Sequence, residues 1–254
     1  MAEVSSPTAA SLFERNRRAF LLRKLHSLSG VVPVGVFLVQ HLWVNARALN
    51  GRASFDSAVA EINGMPYLWA VELFGIFLPL AFHALYGVKL AFEGRPNVGR
   101  YTYSRNWMYT LQRATGLVAL AFLMTHLWEF RVAKLLGHMG PEAFYPTLSE
   151  RLSATGALGV PWTALWYLIG IGASVFHFAN GLFGFCFSWG ITVSRRSQRL
   201  AGAVFAILGF VLFALGANTV FYFATGARFF IPSDTSAACD VPNLTAASQP
   251  SRAR

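Results

Sequence analysis

Charge and cysteine are both scarce in this chain. Only 13% of its 254 residues are charged, about half the share of an ordinary soluble domain. Cysteine occurs twice, at Cys186 and Cys239. That is too few for a disulfide scaffold, and the pair lacks metal-ligand spacing. A thiol-based metal site is therefore excluded, and any metal must be held by histidine or carboxylate. Acids are rarer than bases, with 11 Asp and Glu against 21 Lys and Arg, for a net charge of +10. What the chain has in excess is apolar surface: 55% of its residues are hydrophobic, 15% are aromatic, and 23 are Phe. Such a composition excludes a disordered protein and a nucleic-acid-binding tail in spite of the positive charge. It also argues against a soluble enzyme, because apolar runs of about 20 residues recur along the chain.

Five such stretches stand out: 28–44, 68–92, 109–130, 162–191 and 200–223. Each is long enough, or nearly so, to cross about 30 Å of hydrocarbon at about 1.5 Å per residue. The sequence thus predicts an all-α integral membrane protein with five transmembrane helices. Its organisation is a cytoplasmic N-terminal segment (1–27), a membrane domain (28–224) and a polar outer tail (225–254) rich in Ser, Pro and Ala. Placing the N-terminus, the second loop and the fourth loop on one side gathers thirteen of the 21 basic residues there with three of the 11 acids. A Lys/Arg excess marks the cytoplasmic side. The expectation is a multi-pass protein of the cell's inner (cytoplasmic) membrane, N-terminus inside and C-terminus outside. The rival reading of the first stretch is a cleaved signal peptide, with Ala46-Arg47-Ala48 as the cleavage step.

The chain repeats itself. SGVVPVGVFLVQHLW (29–43) resembles TGLVALAFLMTHLW (115–128): a small hydroxyl residue, Gly, an apolar run, then His-Leu-Trp. FHALYG (82–87) resembles FHFANG (176–181). The pattern is that of a duplicated helix pair, and it places one histidine in each of four consecutive spans. One intramembrane histidine is commonly an interhelical hydrogen bonder; four at equivalent places point to function. Measured from the basic side, His41 and His126 lie about 20 and 25 Å along their spans, and His83 and His177 about 14 and 21 Å. With tilt allowed for in the longer fourth span, His41 is paired with His126 toward the outer side and, less cleanly in depth, His83 with His177 toward the inner side. Two imidazoles from facing helices at each of two depths suit bis-histidine ligation of haem b, in a four-helix bundle with small residues where the ring edges press on backbone.

At these residues the chain resembles a known family: the single-chain, five-helix, two-haem cytochrome b subunit of succinate:quinone oxidoreductases, which comprise succinate dehydrogenases and fumarate reductases. The resemblance runs from about residue 23 to residue 223. It rests on RKLHSLSGVVPVGVFLVQHLWVN, ELFGIFLPLAFHALYGV, YSRNWMYTLQRATG, HLWE, FHFANGLFGF and SWGI followed by RRSQR. It implies two haem b groups, with His41 and His126 ligating the distal haem iron and His83 and His177 the proximal one. It also implies an iron–sulfur subunit docked on the basic face and a flavoprotein subunit that carries the succinate chemistry. Quinone, with menaquinone the expected type, would react near the distal haem. The chain itself has no cysteine cluster or dinucleotide fingerprint to hold a flavin or an iron–sulfur centre.

Other positions carry two readings each. His26, with Arg23 and Ser27, suits contacts to a haem propionate, and equally a positive-inside cluster with a helix cap. Gln112 and Arg113 invite the same pair of readings. Glu72, near the outer end of the second span, and Asp56, in the preceding loop, could serve quinone protonation or simply face water as interfacial acids. His138 reads as a solvated loop residue, Cys239 has no assigned role, and Arg195, Arg196 and Arg199 read as a basic inner turn contacting the iron–sulfur subunit. Some dihaem fumarate reductases place a Glu two residues before the fourth ligand, where it helps transmembrane proton transfer. Here that position is Val175, as in the branch whose succinate oxidation by menaquinone draws on the membrane potential. Two rival functions are a haem b subunit of another membrane dehydrogenase and, from a different class, a histidine-lined proton transporter. The second would need a wet interior, whereas these histidines sit amid Phe, Leu and Val.

Overall fold

The computed structural model describes residues 9–95 and 98–229. Among them all regular structure is helical. Five helical segments are long and apolar enough to cross a membrane: Asn16–Asn50, Leu68–Glu93, Ser104–Leu135, Trp162–Ser188 and Arg195–Thr225. Each contains or overlaps one of the five stretches expected from hydropathy. The chain is thus an all-α protein with five candidate spans, and large apolar side chains such as Leu85, Phe92 and Phe210 are exposed along them, as on helices that meet hydrocarbon. The polar segment 230–254, with Cys239, lies outside the described residues.

The first, third and fifth spans exceed their apolar stretches because charged turns extend them, whereas the fourth ends at Ser188, short of the expected residue 191. The first begins as a helix at Ala9, where Glu14 pairs with Arg18 at 3.1 Å across one turn; such pairs favour helix without reading as membrane. The helix breaks at Val32, ahead of Pro33, and resumes as Pro33–Ala46. Proline has no N–H to donate, yet the ladder is carried past it by Val32 N to Leu28 O at 2.9 Å and Val36 N to Val32 O at 3.2 Å. The second and third spans each contain a π-helical stretch, Val71–Phe77 and Leu127–Val132. Arg195, Arg196 and Arg199, expected to form a turn between helices, instead open the fifth helix. Ser194 and Ser197 cap it reciprocally, each backbone N–H donating to the other's hydroxyl at 3.1 Å.

Two connections expected as loops hold helices, Arg52–Asn63 and Phe144–Ser153. They are too short to span a membrane, so hydropathy passes over them. Asp56 is therefore a helical residue, tied to Arg52 Nε at 3.1 Å. His138 sits in an exposed turn, as expected.

Internal contacts divide the described residues into two compact units: 9–38 with 69–95, 98–117 and 176–209, and 39–68 with 118–175 and 210–229. In the first, Trp189 Nε1 donates to Ser27 Oγ at 3.0 Å and Lys24 Nζ donates to the Ser188 carbonyl. In the second, the two connecting helices close over a buried aromatic cluster. Phe55 and Tyr145 meet edge to face, and both meet Phe223; the Tyr145 and Tyr222 hydroxyls lie 3.1 Å apart. Leu148 and Leu152 complete the cluster from the second connecting helix. Leu152 is 1% exposed, so Leu152→Ala leaves a cavity. It is expected to destabilise the protein by about 2–5 kcal/mol, read as a lowered thermal unfolding midpoint of the detergent-solubilised chain.

Candidate functional site

The four repeat histidines form two pairs, one in each unit. His83 and His177 face each other edge-on with ring centres 6.1 Å apart. His41 and His126 do the same at 5.7 Å. An imidazole nitrogen sits about 2.0–2.1 Å from a metal it binds, with the ring centre about 1.1 Å beyond, so two rings on opposite sides of one metal place their centres about 6.3 Å apart. Both pairs are close to that separation. Among the described residues no group of three or more His, Cys, Asp or Glu side chains could hold a metal. Each pair thus offers two nitrogen donors, and a metal there must bring its other donors with it, as a haem does.

In the first unit both histidines are held by the same device. His83 Nδ1 donates to the backbone carbonyl of His26 at 3.0 Å, and His177 Nδ1 donates to that of Gln112 at 2.9 Å. His26 and Gln112 are equivalent in the repeat, each four residues before its glycine (LHSLSG and LQRATG). Ser29 Oγ donates to His26 O at 2.9 Å, whereas Thr115 Oγ1 donates to Leu111 O at 2.7 Å and lies 3.4 Å from Gln112 O. Donation from Nδ1 fixes the tautomer and leaves Nε2 as the nitrogen with a lone pair for a metal.

The glycines make this approach possible. A Cβ on Gly30 would lie 2.3 Å from His83 Cε1, and one on Gly116 would lie 2.8 Å from His177 Cε1. The relation is returned from the facing spans: a Cβ on Gly87 would lie 3.1 Å from His26 Nε2, and one on Gly181 would lie 3.5 Å from Gln112 Nε2. His26 stacks on His83 with ring centres 4.2 Å apart, and its Nε2 is buried without a hydrogen-bond partner. The Gln112 amide is engaged, donating to the His177 carbonyl at 3.0 Å and accepting from Asn180 at 2.7 Å.

The remaining expected residues scatter. Arg113 lies over the Tyr109 ring and donates from Nε to the Leu90 carbonyl at 3.4 Å, while Ser27 is bonded to Trp189 and Arg23 is exposed. Glu72 is half-buried in the π-helical stretch of the second span. It falls in the first unit and Asp56 in the second. Asp56 Oδ1 is buried without a hydrogen-bond partner.

In the second unit the histidines are held by side chains. His126 lies between Phe122 and Phe130, with ring centres 5.7 and 5.3 Å away. Its Nδ1 is 3.3 Å from the Tyr167 hydroxyl. Asn45 donates to the His41 carbonyl at 2.9 Å, and its amide nitrogen lies 3.4 Å from His41 Nε2. Tyr167 and its neighbours Glu129 and Arg151 were not foreseen from sequence. The one signal available was the end of the repeat, HLWE (126–129) against HLWV (41–44).

These features define a multi-pass, all-α membrane protein that carries two imidazole pairs. Residues 95–217 match the family described as the succinate dehydrogenase/fumarate reductase transmembrane subunit. The chain is also 44% identical over 206 residues to the succinate dehydrogenase cytochrome b558 subunit of Bacillus subtilis (strain 168), an alignment covering 81% of this chain and 98% of that protein. The chain belongs to this family of succinate dehydrogenase/fumarate reductase transmembrane subunits.

The geometry makes the repeat glycines unequal to the others. Gly30→Ala is expected to cost about 1–3 kcal/mol through overpacking against His83. Gly202→Ala, whose Cβ would meet nothing nearer than Phe183 at 3.9 Å, is expected to be neutral or stabilising by up to about 1 kcal/mol. Thermal unfolding of the two variants in detergent checks the contrast.

Proposed function

We propose that this chain is the membrane anchor and electron relay of a succinate:quinone oxidoreductase. It passes electrons from an iron–sulfur subunit through two b haems to quinone, with menaquinone as the expected acceptor. The observation that carries this reading is the two edge-to-face imidazole couples, with ring centres 6.1 and 5.7 Å apart, set in a family whose Bacillus subtilis relative is named a cytochrome b558 subunit. His83 and His177 would be the axial ligands of the proximal haem, and His41 and His126 those of the distal haem. Haems held by these histidines would supply one-electron carriers suited to electron transfer.

The chain's own residues do the rest. The His26 and Gln112 carbonyls orient the two proximal rings and keep their protons on Nδ1. The flanking glycines admit the rings to the helix surfaces. The orphaned Nε2 of His26 marks it as a donor for a proximal propionate, with Arg23, Ser27, Gln112 and Arg113 as the other donors of that set. The basic end, with Arg105, Arg195 and Arg199 gathered around one open hollow, is the docking face for the iron–sulfur subunit, and a flavoprotein subunit beyond it carries the succinate chemistry. In this reading the N-terminus faces the cytoplasm and the basic segment 1–27 belongs to that face, while the tail 225–254 lies outside. Glu72 and Asp56 are the candidate proton donors to quinone, whose reduction takes up two protons with two electrons.

Pyridine haemochrome quantification with a reduced-minus-oxidised spectrum tests the reading. Two b haems per chain are expected, falling to one in His83→Ala or in His126→Ala. Zero haem in the folded, assembled complex overturns it. Val175, 2% exposed, leaves no carboxylate two residues before His177. Succinate oxidation with a menaquinone analogue in sealed vesicles is accordingly expected to depend on an imposed membrane potential, and indifference to the potential would remove that part of the proposal.

A further inference from the structure

Two of the proposed ligands lean on neutral backbone carbonyls, but His126 does not. The Tyr167 hydroxyl, in a side chain that is 7% exposed, donates to Glu129 Oε2 at 3.0 Å. A phenol has one proton to give. The 3.3 Å contact between Tyr167 Oη and His126 Nδ1 is therefore one in which the imidazole N–H donates and the phenol oxygen accepts. Glu129 Oε1 in turn accepts from Arg151 Nη1 at 2.8 Å. The direction of the chain is fixed along its length: His126 Nδ1–H to Tyr167, Tyr167 O–H to Glu129, and Glu129 held by Arg151.

From this we infer that Tyr167, backed by Glu129 and Arg151, is a positioning residue that holds His126 with its proton on Nδ1 and tunes the distal haem through it. The inference rests on His126 being an axial ligand, as proposed above. A phenol oxygen whose own proton is committed to a carboxylate is a better acceptor than one hydrogen-bonded to a neutral group, because linked hydrogen bonds polarise one another. Drawing the Nδ1–H bond toward the phenol leaves more electron density on Nε2 and raises the basicity of the ring as a ligand. A more basic ligand favours the ferric form and lowers the reduction potential of its iron. The repeat makes the device specific to one ligand, because the residue three places after His41 is Val44, where His126 has Glu129.

The test is a redox titration of the assembled complex in membranes, following each haem by its α-band. The distal haem is identified as the one lost in His126→Ala. Tyr167→Phe keeps the ring and removes the phenol oxygen. It is expected to raise the reduced-to-oxidised ratio of the distal haem three- to tenfold at a fixed ambient potential, about 28–59 mV at 59 mV per tenfold for one electron, with the proximal haem unmoved. Glu129→Gln, which leaves Tyr167 in place, is expected to shift the same haem in the same direction by a smaller factor, and it carries the measurement if Tyr167→Phe fails to retain that haem. Full distal haem content with an unchanged potential overturns the inference and leaves the ligand assignment standing. If no haem is lost in His126→Ala, the ligand assignment itself falls, and this inference with it.

Discussion

An imidazole placed among hydrocarbon side chains must satisfy both of its ring nitrogens, because no water is there to do it. The first unit solves this with the main chain. His83 and His177 each spend Nδ1 on a carbonyl of the neighbouring span, which leaves one nitrogen apiece. A carbonyl within a helix points along the helix and normally serves the turn that follows. To reach it from a second helix, a ring must lie almost flat on the surface one turn further on, and that is where Gly30 and Gly116 sit. The stacked His26 and its approach to Gly87 follow from the same closeness. Spacing, small residues and ring orientation are thus one constraint seen from several sides.

The second unit meets the same demand by other means. Its His126 is packed among Phe122, Phe130 and Tyr167, in a unit whose core is closed by two connecting helices and not by the spans alone. Here the partner of Nδ1 is a side chain with partners of its own, and the last of them, Arg151, is half exposed. A main-chain acceptor fixes a ring and adds little else. A side-chain chain ending in an ion pair can be varied in charge and geometry. The two units therefore differ in how their imidazole pairs are held, the first by carbonyls that no substitution removes and the second by side chains that substitution can change.

Much of this was legible in the sequence because hydrocarbon is an unforgiving solvent. Long apolar runs locate the spans, and intramembrane histidines announce themselves by their rarity. Helical rise, with tilt allowed for in the fourth span, sorted His41 with His126 and His83 with His177, whose rings the structure brings together edge to face. Three things were not legible. The connecting helices are short and amphipathic, so Phe55 and Leu152 read as scattered apolar residues in polar loops. The Nδ1 acceptors at residues 26 and 112 are carbonyls, which every residue has, so no letter in the sequence marks them. Tyr167 and Glu129 lie 38 residues apart, and only the helix packing brings them together. The acids Glu72 and Asp56 were singled out for their chemistry, but the structure puts them in separate units.

The use of main-chain acceptors also decides where the protein is vulnerable to change. No side-chain replacement at residue 26 or 112 can delete a carbonyl, and the two repeats carry different residues there, His and Gln, while keeping the bond. The exposure to damage has moved to Gly30 and Gly116, where every possible replacement adds atoms. These two bonds are therefore robust against loss of a side-chain group at the acceptor and fragile against gain of volume. Replacements at Gly30 and Gly116 would disturb them while, judged by polarity or charge, altering nothing.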